Sequence, residues 1–282
     1  MSEFEVGLDE LFVINVARGI EDHTTVFLGV SSPIPMVAMY FSKLNHAKNM
    51  VYFGGVSSAV DPNPPFMPVT TNDWVMIQNR TAMISVDKLF DIAQRGELDR
   101  SFFSGAQIDK YGNQNVSIIG SPDNIKVKLP GGAGGCNLSG DCVNYTIWTT
   151  RHRARERKGK KIYTLVDKCD FITNVGHVTK QGTREELDLV GNGPDWVVTE
   201  LGVFDFHPES KIMRLRYLYP DTTVDDVLES TQFEPEVHPE VRVMDMPTVE
   251  EVKLIREIDP LKVRQREHPS NELERKFYIQ ED

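Results

Sequence analysis

The sequence predicts an α/β fold, an open and mostly parallel sheet with flanking helices. Three observations carry that expectation. Short apolar runs rich in β-branched residues alternate with segments of helical periodicity. The first such run passes through Gly29 into Ser32-Pro33, a side-chain oxygen followed by a residue without an N–H, which suits a helix start. The next run ends in Gly54-Gly55, so strand, turn, helix and strand succeed one another as in a βαβ unit.

Asp9 to Ile20 reads as an amphipathic helix with Leu8, Leu11, Ile14 and Ala17 on one face, closing near Gly19. Thr24 to Val30 reads as a buried strand, Met36 to Leu44 as the helix that Ser32 caps, and Asn49 to Phe53 as the next strand. Four prolines between Pro62 and Pro68 demand an irregular loop. Ser85 caps a helix through Ala93 that Gly96 ends, and Phe102-Phe103 leads a strand. Gly112-Asn113 marks a turn, and Ile125 to Leu129 is extended. From Asp195 the pattern is β: Trp196 to Phe206, a turn at His207 to Ser210, then Ile212 to Leu218. Thr248 and Glu251 form a capping box for a helix through Ile258, stopped before Pro260. No repeat of 20–50 residues is visible. The expectation is one domain over residues 1–262 and an extended arm or frayed tail over 263–282, where the chain is charged and aperiodic.

The 282 residues carry 42 acidic and 31 basic side chains, a formal net charge of −11. That balance opposes whole-protein binding to nucleic acid or an anionic membrane, where cations must neutralise phosphate. With 40% hydrophobic and 26% charged residues the chain has the composition of a globular protein with a core. No run approaches the roughly 18 apolar residues that span a bilayer, and Met1-Ser2-Glu3-Phe4-Glu5 lacks the basic start of a signal peptide. Cys136, Cys142 and Cys169 are an odd number of thiols, which suits a reducing cytoplasm. They form no CxxC and have no clustered His, so no metal site is expected.

The densest glycine cluster is Gly131-Gly132-Ala133-Gly134-Gly135-Cys136-Asn137. Such a stretch lets backbone N–H groups converge on a phosphate, carboxylate or thioester oxyanion. A plain glycine-rich turn accounts for it equally well, since it fits no Walker or dinucleotide pattern. Ser104 to Asn115 is polar and follows a strand, where α/β sheets hold ligands. Asp109 within it is an acid or base candidate, or an acid bonded inside its own turn. Gly29 to Ser32 is a strand-to-helix turn with an anion-binding or a capping reading. Arg151 to Lys161 holds seven Lys or Arg in eleven residues, the pattern of a solvated hairpin or of a contact to a phosphorylated ligand. His177 is a lone histidine after a strand, for which an ordinary loop role is the expectation. Phe66, Met67, Trp74 and Met76 are core residues or the wall of an apolar pocket. No GxSxG elbow, HExxH or Ser-His-Asp order is present.

Taken in order, Gly105-Ala106-Gln107-Ile108-Asp109, Tyr111-Gly112-Asn113 and Gly132-Ala133-Gly134-Gly135 resemble the β-type subunit of family I CoA-transferases, the glutaconate branch in particular. The likeness continues through Asp195 to Thr199, Gly202 to Phe206, Tyr219-Pro220, Asp225 to Leu228, Thr231 to Phe233 and Leu254 to Pro260, about residues 8–262. The resemblance implies a CoA-transferase-like fold, a separate α-type partner in an α2β2 assembly, and an acyl-CoA thioester as substrate. Coenzyme A then enters as part of the substrate, with no bound cofactor. It also implies that Gly134 and Gly135 donate backbone hydrogen bonds to the thioester oxygen, beside Gly132, Cys136 and Asn137. Gly105, Ala106, Gln107 and Asp109 would line the site.

One departure bears on the reaction. Transferases of this family attack the thioester with a glutamate at the end of a strand. Here that place holds Tyr52, Phe53 and Gly54, and the nearest acids, Asp61 and Glu21, sit on other elements by pattern. Relatives without the glutamate resemble a steroid-ring-opening CoA hydrolase, in which water cleaves a C–C bond of a cyclic keto-acyl-CoA. Gln114 to Ser117 and Leu201 to Phe206 lean that way. A decarboxylating branch favours a cysteine near the lost glutamate, where this chain has Val56, Ser57 and Ser58. Hydrolysis with C–C cleavage is the expected activity. CoA transfer, decarboxylation and a non-catalytic scaffolding role are the alternatives.

Overall fold

A computed structural model of the chain describes residues 3–280. Met1, Ser2, Glu281 and Asp282, the outer ends of the expected domain and arm, lie outside the described residues. Where pattern suggests one domain and an arm, the chain forms two compact units. Among the described residues, the first comprises 3–93, Glu97–Phe102 and 245–280; the second is Gln94–Gly96 with Phe103–Met244.

In the first unit, strand Thr25–Leu28 pairs in parallel with Val51–Gly54, setting Val26 opposite Tyr52 and Leu28 opposite Gly54. Helix Pro33–Leu44 makes the crossover between them. Two short antiparallel strands, Ala59–Val60 and Ala82–Met83, extend the sheet beyond Val51–Gly54. Pro33 opens its helix as expected, but Ser32 does not cap it; the Ser32 hydroxyl donates to Val30 O at 3.2 Å.

Helix Leu8–Ala17 is buried on all sides rather than amphipathic, Asp9 and Glu10 included. A helix without a wet face belongs to the interior, and this one packs on Pro33–Leu44. Its two acids are matched by the C-terminal segment. Arg264 contacts Asp9 at 2.7 Å, Asp259 at 2.8 Å and Glu10 at 3.2 Å, and Arg256 bonds Glu10 with Nε at 2.6 Å. The expected tail is therefore ordered. After helix Val249–Ile258, whose Thr248–Glu251 capping box is present, the chain makes 3-10 turns at Val263–Glu267 and Glu272–Glu274. It ends in strand Lys276–Gln280, antiparallel to Glu3–Gly7.

In the second unit, Asn144–Thr149 runs parallel to Gly193–Thr199. That strand pairs antiparallel with Gly202–Phe206, which pairs antiparallel with Met213–Leu218, which runs parallel to Glu236–Val243. A smaller sheet of Gln107–Asp109, Gln114–Asn115 and Leu165–Val166 stands apart, as do hairpins 118–128 and 155–162. Helix Gly135–Asp141 follows the glycine cluster. The fold class is α/β, as the sequence predicts. No helix among the described residues is long and apolar enough to cross a membrane.

Candidate functional site

The turn after strand Gln107–Asp109 is built by one carboxylate. Asp109 Oδ1 accepts from the N–H groups of Tyr111 at 3.0 Å and Asn113 at 3.1 Å, and Asn113 Nδ2 donates to both carboxylate oxygens. Burial pushes the Asp109 carboxyl up, against the pull of those donors and of the Cys169 backbone. With its oxygens occupied in this way, the acid holds the turn's shape. Asn113 carries that shape onward, accepting from Gly176 N at 2.8 Å and donating to Val178 O at 2.8 Å. Gln107 is structural in the same way, its Oε1 accepting from Asn115 Nδ2 and Asp170 N. Gly105 is half-buried and Ala106 exposed at the start of this strand.

The glycine loop rests on the segment that Asn113 ties down. A Cβ at Gly135 would stand 2.7 Å from Asn174 Oδ1, and one at Gly132 would stand 2.6 Å from Thr173 Cγ2. Close approach to Thr173-Asn174 is thus why both positions carry no side chain. Two amides lock this shelf. Gln114 Nε2 donates to Gly112 O at 3.2 Å, leaving its Oε1 to accept from Asn174 Nδ2 at 2.9 Å. Because a carbonyl only accepts, the order of donors fixes both amide orientations. Asn174 Oδ1 is left buried, without a partner, under the loop. Thr173 Oγ1 accepts from Val116 N at 3.1 Å. Sequence reasoning passes over Thr173 and Asn174. Their only trace is the pair of glycines three apart that they explain.

The loop corrects one expected role. The N–H of Gly135 donates to Gly132 O at 2.7 Å, inside the loop's own turn, so it is not free for a substrate oxygen. The N–H of half-buried Gly134 has no partner among the described residues. Cys136 and Asn137 are exposed beside it, with Cys136 Sγ 3.3 Å from Asn137 Oδ1. All three cysteines are free thiols.

At the strand end in the first unit, Tyr52 is wholly buried and its hydroxyl has no partner. Burial, with Tyr40 adding to it, pushes that phenol well above its ordinary value. Phe53 is buried as well. The place where a Gly54 side chain would begin is taken by the Ser57 hydroxyl, which donates to Gly54 O at 3.0 Å. Asp61, assigned by pattern to a remote element, lies against Tyr52: its Oδ1 accepts from Tyr52 N at 2.9 Å. That carboxylate also pairs with Lys43 at 2.9 Å. Glu21 is exposed after the first helix.

Apart from the basic run, the remaining candidates resolve to structure. His177 Nε2 bonds Pro194 O at 2.7 Å and its ring packs on Phe206; burial lowers its pKa to about 4, so it is neutral. Met67 and Met76 are core, whereas Trp74 is 69% exposed, so the four supposed wall residues do not share one surface. Ser31, in the strand-to-helix turn, donates its N–H to Thr71 Oγ1. The basic run is a hairpin.

Within an α/β fold, the glycine loop presents the backbone N–H of Gly134, unbonded among the described residues, on a support fixed by Asn174 and the Asp109 turn, a donor suited to a substrate oxygen. The family model for Coenzyme A transferase matches residues 12–230, and the chain belongs to that family. The chain is 26% identical to the β-type subunit of the 3-oxoadipate CoA-transferase of Pseudomonas knackmussii, over 89% of this chain and 92% of the relative. It is 38% identical to the corresponding subunit of the glutaconate CoA-transferase of Acidaminococcus fermentans, over 57% of each chain. It is 33% identical to the IpdB subunit of the cholesterol ring-cleaving hydrolase of Rhodococcus jostii, over 64% of this chain and 67% of that one. Among solved structures, the decarboxylase AibA/AibB matches with a TM-score of 0.79 and 27% identity, over 93% of this chain and 98% of that chain.

Proposed function

We propose that this chain is the β-type subunit of a cytoplasmic two-subunit enzyme, α2β2, that adds water across a C–C bond of a cyclic keto-acyl-CoA. The strand end carries the proposal: Tyr52, Phe53 and Gly54 supply no carboxylate, and the Ser57 hydroxyl fills the space at Gly54. A buried phenol, a benzyl group and a hydrogen cannot form the acyl anhydride on which CoA transfer depends. The nearby Asp61 is held by Lys43 and by a backbone N–H.

In the proposed reaction a water oxygen bonds to the ring ketone carbon. The C–C bond between that carbon and the carbon α to the thioester then breaks. Its electron pair moves into the thioester, as an enolate, and a proton restores the α carbon. The product is a ring-opened carboxylate still joined to CoA. The N–H of Gly134 is the donor for the enolate oxygen, where charge develops. Asn174, Thr173 and the Asp109 turn hold that loop without touching substrate. The base that takes the water proton comes from the α-type partner.

Mass spectrometry of cyclic keto-acyl-CoAs and dicarboxylyl-CoAs, incubated with the assembled enzyme with and without acetate, tests the reading. A thioester that gains one water and keeps its CoA is expected. Acyl exchange onto acetate would make the enzyme a transferase. Loss of CO2 would make it a decarboxylase, the second reading, which the likeness to AibA/AibB favours.

A further inference from the structure

The hairpin of Arg155–Arg157 and Lys160–Ile162 carries charge that its own folding disfavours. Arg157 lies directly opposite Lys160 across the two strands, and like charges in that position repel. The turn between them is Lys158-Gly159, with φ of +53° and +72°. Two left-handed residues suit such a tight turn, but the first is ordinarily Asn, Asp or Gly, and a lysine there is strained. Every residue from Arg155 to Ile162 is exposed. Arg157, Lys158, Lys160 and Lys161 form no ion pair among the described residues. In a chain of net charge −11, these four cations are gathered at one tip, where Lys161 lies opposite Glu156 but Arg157 and Lys160 face each other against local cost.

The base of the hairpin is firm, unlike its tip. Thr164 Oγ1 donates to Arg151 O at 2.6 Å, and Ile108 N donates to Thr164 O at 2.8 Å. The chain then enters strand Leu165–Val166, parallel to Gln107–Asp109, with Val166 opposite Asp109. The tip is thus mounted on the same small sheet as the Asp109 turn, which through Asn113 and the 174–178 segment supports the glycine loop.

We propose that Arg157, Lys158, Lys160 and Lys161 bind the phosphates at the adenosine 3′-phosphate end of the acyl-CoA. The inference rests on the reading that the substrate is a CoA thioester. Phosphate oxygens bridging Arg157 and Lys160 would convert a repulsive cross-strand pair into two charge-assisted contacts. The remote end of the substrate then supplies binding energy and counters the repulsion of an acidic protein for a polyanion.

The test is calorimetric titration of the assembled enzyme with CoA, 3′-dephospho-CoA and adenosine 3′,5′-bisphosphate. The wild type is compared with the variant Arg157→Ser, Lys158→Asn, Lys160→Ser, Lys161→Ser, in which Asn keeps the turn. The variant should bind CoA and the bisphosphate more weakly by about tenfold or more, the worth of one charged hydrogen bond. It should also lose the preference for CoA over dephospho-CoA, and its melting temperature should be equal or higher. Equal CoA affinity in variant and wild type overturns the inference and leaves the CoA reading intact. Failure of the wild type to bind CoA overturns both. If the variant keeps its CoA affinity but no longer co-purifies with the α-type partner, the hairpin docks a subunit and the inference is wrong.

Discussion

One methyl group at Gly135 would press on Asn174 Oδ1 at 2.7 Å, and the pressed atom belongs to an amide already fixed by Gln114. Overpacking of a locked site costs about 1–3 kcal/mol, so Gly135→Ala should lower stability by that order. Asn174→Ala clears the obstruction, and in urea melts the double variant should be more stable than the sum of the two single changes predicts. Strict additivity would mean that the loop does not rest on Asn174. Tyr52 yields the opposite expectation. Its buried hydroxyl has no partner, so Tyr52→Phe removes a desolvated polar group and should leave the melting temperature equal or raised. Activity should survive, and its loss would mark Tyr52 as a reacting group. An acid is better tried at Gly54, where Ser57→Ala makes room for Gly54→Glu; gain of acyl exchange onto acetate would show that the nucleophile alone was missing. The glycine loop was legible in the sequence because glycine density is a local signal. Its shelf was not, because Thr173 and Asn174 meet it only through folding, and nothing local to them distinguishes a floor from a loop.

Among elements, the helices and strands with strong local signals appear where pattern puts them, the Thr248–Glu251 capping box being the clearest. The first helix and the C-terminal segment do not match their pattern, and for one reason. Asp9 and Glu10 give Leu8–Ala17 a polar edge in sequence, but that edge faces Arg264, some 250 residues on, rather than water. Likewise, Lys276–Gln280 alternates inward Phe277 and Ile279 with exposed neighbours over only five residues, too short a run to stand out in a charged segment, and it is a strand because Glu3–Gly7 pairs with it. Neither partner is visible in a local window. Arg264 is 3% exposed and faces three buried carboxylates. Arg264→Met would leave Asp9 and Asp259 without a cation, Glu10 keeping Arg256, at a cost of about 3–5 kcal/mol. Limited proteolysis should then cut beyond Pro260 in the variant and spare the wild type. Arg256→Met, at a partly exposed position, should cost less. Equal effects of the two changes would show that burial of the cluster contributes nothing.

At the scale of the molecule, acid sensitivity follows from two neutral histidines. Burial, with Arg153 adding to it, lowers the pKa of His152 from an ordinary 6.5 to about 3, and burial lowers His177 to about 4. His152 is enclosed between the hydroxyls of Thr199 at 3.0 Å and Thr231 at 2.9 Å. In the unfolded chain both rings take up protons as pH falls through about 6.5, whereas the folded chain refuses them until about 4 and about 3. The unfolded state therefore binds more protons throughout that window, and stability must fall with falling pH. Two groups contribute about 2–3 kcal/mol per pH unit between roughly pH 6 and 4. Below that only His152 still acts in this direction. Asp109 works the other way, since burial raises its carboxyl and the folded state then holds a proton that the unfolded chain has released. Urea melts between pH 7 and 4.5 should resolve the slope. A variant with His152→Gln and His177→Gln is expected to be less stable at neutral pH but to lose most of this dependence. If its slope matches the wild type, the acid sensitivity resides in the carboxylates and the two rings have no part in it.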